Sequence, residues 1–255
     1  MKLKAIIDYR NLGEKMYLSG TGYLGLITIL SKDFVATRPP PWQAPFLNVY
    51  PALAYISGGL LILVCALALA NKFKIAGLTT MVVLFFFLAT CRHLFYNHWQ
   101  DDINGYKSLW FIAGAFLIMS TTLFSDMQRK IIRWASLIII ALFFAKCSYA
   151  HFKYADIVKD LIPVYIPFRV FWTYFAAMCL ASGAIGILIP KTQSLATFLS
   201  GIMIFMWFII LHIPRAISLE LSENIGVGES LAISGIMFML YGILNKKQRQ
   251  IYSNG

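Results

Sequence analysis

Residues 52–70 read ALAYISGGLLILVCALALA, residues 71–74 read NKFK, and residues 75–95 read IAGLTTMVVLFFFLATCRHLF. The first run carries no charge, and the second carries none before Arg92. An α-helix needs about 20 apolar residues to cross about 30 Å of hydrocarbon. The run–turn–run pattern therefore predicts two antiparallel membrane helices joined by a tight turn. Outward from this hairpin the pattern recurs. Apolar spans are expected at 16–32, 52–70, 75–95, 108–124, 131–150, 170–189, 194–212 and 229–244. The fold expected is all-α, a polytopic membrane protein with eight transmembrane helices.

Composition agrees. The 255 residues are 59% hydrophobic and only 13% charged, against about 25% charged in a soluble domain. Mean hydropathy is +0.71. The net charge of +11 does not form an interleaved basic and aromatic patch, so nucleic-acid binding is not expected. The charges sit between the spans. With the N-terminus inside, alternate loops place 13 basic and 3 acidic residues on one side, and 9 basic and 8 acidic on the other. That split of +10 against +1 puts both termini in the cytoplasm and makes the lipid bilayer the first partner. Lys2 and Lys4 flank a first run that starts only near Met16, with no small-x-small cleavage site, so an uncleaved anchor is expected.

The longest gaps, 33–51 and 151–169, lie on the outer side and carry Pro39-Pro40-Pro41, Pro45, Pro163 and Pro167. Pro190 helps stop the sixth span. Glycines within spans suit close helix packing in lipid. Trp42, Tyr96, Trp99 and Trp110 suit an interfacial belt.

A shift of 119 residues overlays the hydropathy profile on itself. Tyr55 falls on Tyr174, Lys72 on Lys191 and His93 on His212. The expectation is a tandem duplication: one four-helix unit at 1–125, another at 126–255. Four helices per unit is an even number, so the two bundles are parallel, related by an axis near the membrane normal.

All four histidines, His93, His98, His151 and His212, fall near the outer face. His151 ends the fifth span and His212 the seventh, so both reach one level of a bundle. Arg215 is three residues beyond His212, with Pro214 between, and Asp156, Glu223 and Glu229 are nearby in the outer loops. These groups suit either a small polar site for an anion, a quinone head group or a metal, or capping of helix ends. No tight ligand spacing supports a metal. Lys146 lies inside the fifth span, where it either snorkels outward or pairs with Glu223 or Asp156. Cys65, Cys91, Cys147 and Cys179 lie in spans without a Cys-x-x-Cys pattern, so packing is expected of them. No phosphate loop, dinucleotide-binding pattern or nucleophile elbow is present, and the residues name no cofactor.

The second half carries a resemblance. Ala150-His151-Phe152, Ala155-Asp156-Ile157-Val158, Pro163-Val164-Tyr165-Ile166-Pro167, Phe171-Trp172-Thr173-Tyr174-Phe175 and His212-Ile213-Pro214-Arg215 together resemble DoxX-like (DoxX/DoxD) membrane proteins. Glu223 with Leu231-Ala232-Ile233-Ser234-Gly235 resembles the family's last helix. The match covers about 131–245. Residues 1–125 follow it in outline, with Lys32 where His151 stands and Cys91-Arg92-His93 replacing the His-x-Pro-Arg run. The resemblance implies a four-helix membrane bundle per unit in the bacterial inner membrane. It also implies a component or anchor of a redox system, quinone-linked or serving a partner oxidoreductase, rather than a catalyst. A small-solute carrier or channel and a non-catalytic scaffold are the alternatives. On either redox reading the ligand-binding residues expected are His151, His212, Arg215 and Glu223 in the second half, with Lys146 and Asp156 secondary.

Overall fold

In the computed structural model, residues 7–42, 48–95, 102–218 and 221–253 are described. His98, Pro45, Tyr96, Trp99, Lys2 and Lys4 lie outside them. The described residues contain helices and no strand. In chain order the helices are α1 (Tyr9–Ser31), α2 (Tyr50–Leu69), α3 (Lys74–Phe85), α4 (Cys91–Phe95), α5 (Asp102–Leu123) and α6 (Asp126–Lys153). Then follow α7 (Ala155–Leu161), α8 (Arg169–Gly186), α9 (Gln193–Trp207), α10 (Ile213–Ser218) and α11 (Asn224–Ser253). A π turn, Phe86–Thr90, joins α3 to α4, and another, Phe208–His212, joins α9 to α10.

Local chemistry sets the ends. Asp8 accepts from the backbone N–H groups of Arg10 and Asn11 at the start of α1. Ser125 and Gln128 form a reciprocal capping box at the start of α6, which satisfies two N–H groups that the first turn leaves unpaired. α8 stops at Gly186, four residues before Pro190.

Six helical stretches among the described residues are long and apolar enough to cross a membrane. They are Tyr50–Leu69, Lys74–Phe95, Ile103–Leu123, Asp126–Lys153, Gln193–Ser218 and Leu221–Asn245. The chain is thus a helical, multi-pass type of membrane protein. The first and sixth expected spans form as α1 and α8 without reaching that standard. α1 carries Arg10, Glu14 and Lys15 and a high share of Gly, Thr and Ser, and its Tyr17, Leu18, Thr21 and Thr28 are fully buried. A helix enclosed by other helices does not need a lipid-facing composition. α8 opens on Arg169 and is only 18 residues long. Leu63, Phe87, Met178, Ile185 and Leu195 are exposed around the outside. In lipid such side chains carry no desolvation cost.

Successive long helices pack side by side, and α1 closes the circuit against α11. α5 also lies along α6 and touches α11. Glycines permit the α1–α11 seam. A Cβ at Gly20 would fall 2.6 Å from the Gly228 carbonyl oxygen, and one at Gly235 would fall 2.5 Å from that of Gly13. The two helices run antiparallel, with Gly13 facing Gly235, Gly20 facing Gly228, and Gly242 against Arg10. The start of the first helix and the end of the last therefore share one end of the molecule. On that end Lys74 pairs with Glu14.

Candidate functional site

A cavity of about 430 Å³ opens among α5, α6, α8, α9 and α11. Aromatic and aliphatic side chains make most of its wall, including Trp110, Phe143, Phe144, Trp172 and Trp207. Trp172 and Trp207 meet edge to face across α8 and α9, ring centroids 6.4 Å apart. The polar lining is sparse: His151, His212, Lys107, Glu229, Ser230 and Thr173. Few polar groups in an apolar concavity are the usual make-up of a small-molecule site.

Each histidine is held by its surroundings. His151, near the end of α6, lies 2.7 Å through Nδ1 from the Cys147 carbonyl. A carbonyl only accepts, so Nδ1 carries the proton and Nε2 of the neutral ring is left an acceptor. His212 closes the π turn. Its Nδ1 lies where a Cβ at Gly226 would come within 2.5 Å, so the ring rests directly on the backbone of α11. The indole of Trp110 is fully buried, and its N–H has no acceptor among the described residues. A buried donor without a partner costs about 1–3 kcal/mol.

Lys107 and Glu229 form an ion pair, Nζ to Oε2 2.6 Å. The other carboxylate oxygen, Oε1, accepts from the Thr37 backbone N–H at 3.1 Å. Glu229 thereby ties α5, α11 and the loop after α1 to one point. The sequence reading placed Glu229 in an outer loop and passed over Lys107, because its last span starts at 229 and its fourth at 108. The helices begin earlier, at Asn224 and Asp102, so both groups lie more than a turn inside. Their signal was a lone charge at each edge of an apolar run. The cavity is also not confined to the second half, since Ile103, Lys107 and Trp110 come from α5.

Arg215 and Glu223 do not line the cavity but brace its wall. Arg215 donates from Nε to Glu223 Oε2 at 3.1 Å and from Nη1 to the Leu161 carbonyl at 2.8 Å. It fastens the end of α7 to the approach to α11. Pro214 lacks the N–H that would bond the Ile210 carbonyl one turn back. The Tyr165 hydroxyl, from the proline-bearing loop, donates to that carbonyl instead. Asp156 is almost wholly exposed and pairs with Lys159 at 2.8 Å. The Lys159 ammonium, bonded to it, holds its carboxyl below the usual carboxylate range. Neither Asp156 nor Lys146 lines the cavity. The two carboxylates suggested for Lys146 are engaged by Arg215 and Lys159. Among the described residues no three His, Cys, Asp or Glu side chains gather as a metal site would require.

Around Arg92, by contrast, the helix ends are filled. Phe34 is buried against Phe85, and Phe85 stacks on Phe111 with centroids 4.3 Å apart. Arg92, 2% exposed, donates to the carbonyls of Phe34 and Pro40, pairs with Asp33 at 3.3 Å, and lies over the Trp42 ring. His93 Nε2 is 3.3 Å from the Thr37 carbonyl. Lys32 is the exposed, left-handed cap of α1.

No family model, curated protein or solved structure matches this chain.

Proposed function

We propose that the chain is a DoxX-like membrane component of a quinone-linked redox system, and that the cavity receives the flat head of a lipid-soluble quinone. The observation that carries this reading is the cavity itself. It is walled by aromatic rings, and its few polar groups come in complementary kinds. The Lys107 ammonium offers a donor to a quinone oxygen, and His151 Nε2 offers an acceptor to a quinol hydroxyl. His212 and Lys107 complete the polar edge. The bound quinone would supply the electron chemistry; these residues orient it and exclude water. A carrier would need a polar path between the halves. The α1–α11 seam argues against one, because its glycines bring backbone against backbone.

All eight long helices cross the bilayer on this reading, α1 and α8 included, as a tandem pair of four-helix units in a bacterial inner membrane with both termini cytoplasmic. Support for the duplication comes from element starts. Tyr50 and Arg169 open α2 and α8, Lys74 and Gln193 open α3 and α9, and each pair is 119 residues apart. Each half also places one π turn in its third helix, just ahead of an arginine. The antiparallel α1–α11 pair and the charge split support the shared side of the termini. Reporter fusions after residues 125 and 255 should both read cytoplasmic.

The binding test uses intrinsic tryptophan fluorescence of the purified protein in nanodiscs. A short-tailed quinone should quench it saturably, and His212→Ala should abolish saturation while the protein stays folded. Quenching that never saturates, or that His212→Ala leaves unchanged, overturns the quinone reading.

A further inference from the structure

One part of the cavity wall is apolar on both of its sides. Val158 and Leu161 of α7, with Ile162 just after it, line the cavity. Yet no residue of α7 is buried, and Ile157, Val164 and Phe168 of the same segment are 65%, 87% and 80% exposed. Residues 155–168 therefore form a thin roof. Its charges are spent locally: Asp156 pairs with Lys159 at 2.8 Å, and Asp160 with Arg169 at 3.4 Å.

The depth of this roof is fixed by the membrane-length helices. It follows Lys153, the end of one of them, after Tyr154 alone. The Tyr165 hydroxyl bonds the Ile210 carbonyl, within another, Gln193–Ser218. Ile210 lies more than two turns before Ser218, about 12 Å along that helix. Arg215 of the same stretch holds the Leu161 carbonyl at 2.8 Å. The segment thus lies beside the ends of these helices, not beyond them. Its apolar surface runs on into α8, which is held between α6 and α9. There Phe171, Phe175 and Met178 are exposed, and Phe171 stacks on Phe175 with centroids 5.8 Å apart. At the adjoining end of α6 the Lys153 ammonium lies 5.4 Å and 5.2 Å from the ring centres of Tyr149 and Tyr154, both exposed. Tyrosines and a snorkelling lysine suit the boundary between headgroups and hydrocarbon. Phe168 adds a local sign. Its backbone is left-handed, φ 57°, which a bulky residue rarely adopts, and its ring is left uncovered by the protein. In lipid that exposure carries no desolvation cost.

We propose that residues 155–168 are an in-plane interfacial segment whose partner is the bilayer: Ile157, Val164 and Phe168 sit at the acyl-chain boundary, and this contact holds the roof over the cavity. The contact depends on the geometry of the wall and on no particular ligand. Because the charges of the segment are already paired, it fits neutral hydrocarbon rather than anionic headgroups.

The test uses the full chain in nanodiscs of neutral lipid, with a bimane label on Val164→Cys or Phe168→Cys and the parent's own labelling subtracted. Lipid carrying a nitroxide high on its acyl chain should quench both labels strongly, and iodide in the water only weakly. A label on Asp156→Cys should show the reverse order. Both results should hold in anionic lipid and at high salt. In the double variant Val164→Asp, Phe168→Asp, hydrogen exchange of 157–168 should quicken about tenfold. Unchanged protection of α6 and α11 then separates a lifted roof from an unfolded chain. Labels at 164 and 168 as open to iodide as the one at 156 overturn the proposal. So does lipid quenching that needs anionic headgroups, or exchange that the double variant leaves unchanged.

Discussion

At the ends that carry Arg92 and Arg215 the two halves of the chain use similar residues to opposite effect. In the first, Arg92 is buried and drives inward, collecting Asp33 and the carbonyls of Phe34 and Pro40. In the second, Arg215 turns outward to Glu223 and the end of α7, and no residue of α7 is buried. The first loop drops Phe34 into the bundle, whereas the second stands off as a short helix and a proline-bearing strap. A filled end and a hollow end follow. The lesson is that a loop's path, more than the helices beneath it, decides whether a four-helix end becomes core or cavity. The seam joins the two outcomes, since Glu229 of the hollow half holds both Lys107 and Thr37 of the filled half.

The largest test of this contrast is Arg92→Ala. It leaves Asp33 without its guanidinium partner beside a buried loop and should cost about 3–5 kcal/mol, read as a large fall in thermal midpoint in one fixed detergent. Arg215→Ala, at a partly buried pair whose arginine is 15% exposed against 3% for Arg92, should cost less, about 2 kcal/mol. Equal losses would erase the distinction between plug and clamp. Next comes the shared pin. Glu229→Ala strands Lys107 and the Thr37 N–H together and should cost about 3 kcal/mol. The double change Lys107→Met, Glu229→Leu should recover much of that loss in a double-mutant cycle, because both charges leave together. A double variant as unstable as the sum of its singles would remove the pin from the account.

Gly226→Ala sharpens the comparison at the site alone. Its Cβ must displace the His212 ring, so probe binding should fall about tenfold, with a stability cost of about 1–2 kcal/mol. Gly59, with open space around it, is the control, and Gly59→Ala should bind as the parent does. The smallest effect belongs to Asp156. Its carboxyl is held below the usual range by Lys159, so its contribution is present above the unfolded carboxylate value and is lost as pH falls through the folded one. On a fully exposed pair, that loss should leave thermal melts of Asp156→Asn superimposable on those of the parent at neutral pH. A distinct melt would give α7 a structural weight that its exposure denies it.

The chain alone determined a good deal. Long uncharged runs can only be stable as helices in lipid, since every backbone group must be satisfied within the segment. The all-α membrane class and the hairpin at 71–74 were legible from window composition. That His151 and His212 reach one level followed from helix parity, and the packed structure lines one cavity with both. Composition could not show that Asn224–Gly228 and Asp102–Tyr106 continue the helices, which carries Glu229 and Lys107 inward from an expected flank. Nor could it show that Cys91-Arg92-His93 plugs its half while His212-Ile213-Pro214-Arg215 lines and braces a hollow one. Those outcomes rest on pairings 122 residues apart for Lys107 and Glu229, and 192 for Thr37 and Glu229. Hydropathy is a property of neighbours along the chain, whereas a buried charge is stable only beside a partner brought from elsewhere. Only the packed structure places that partner.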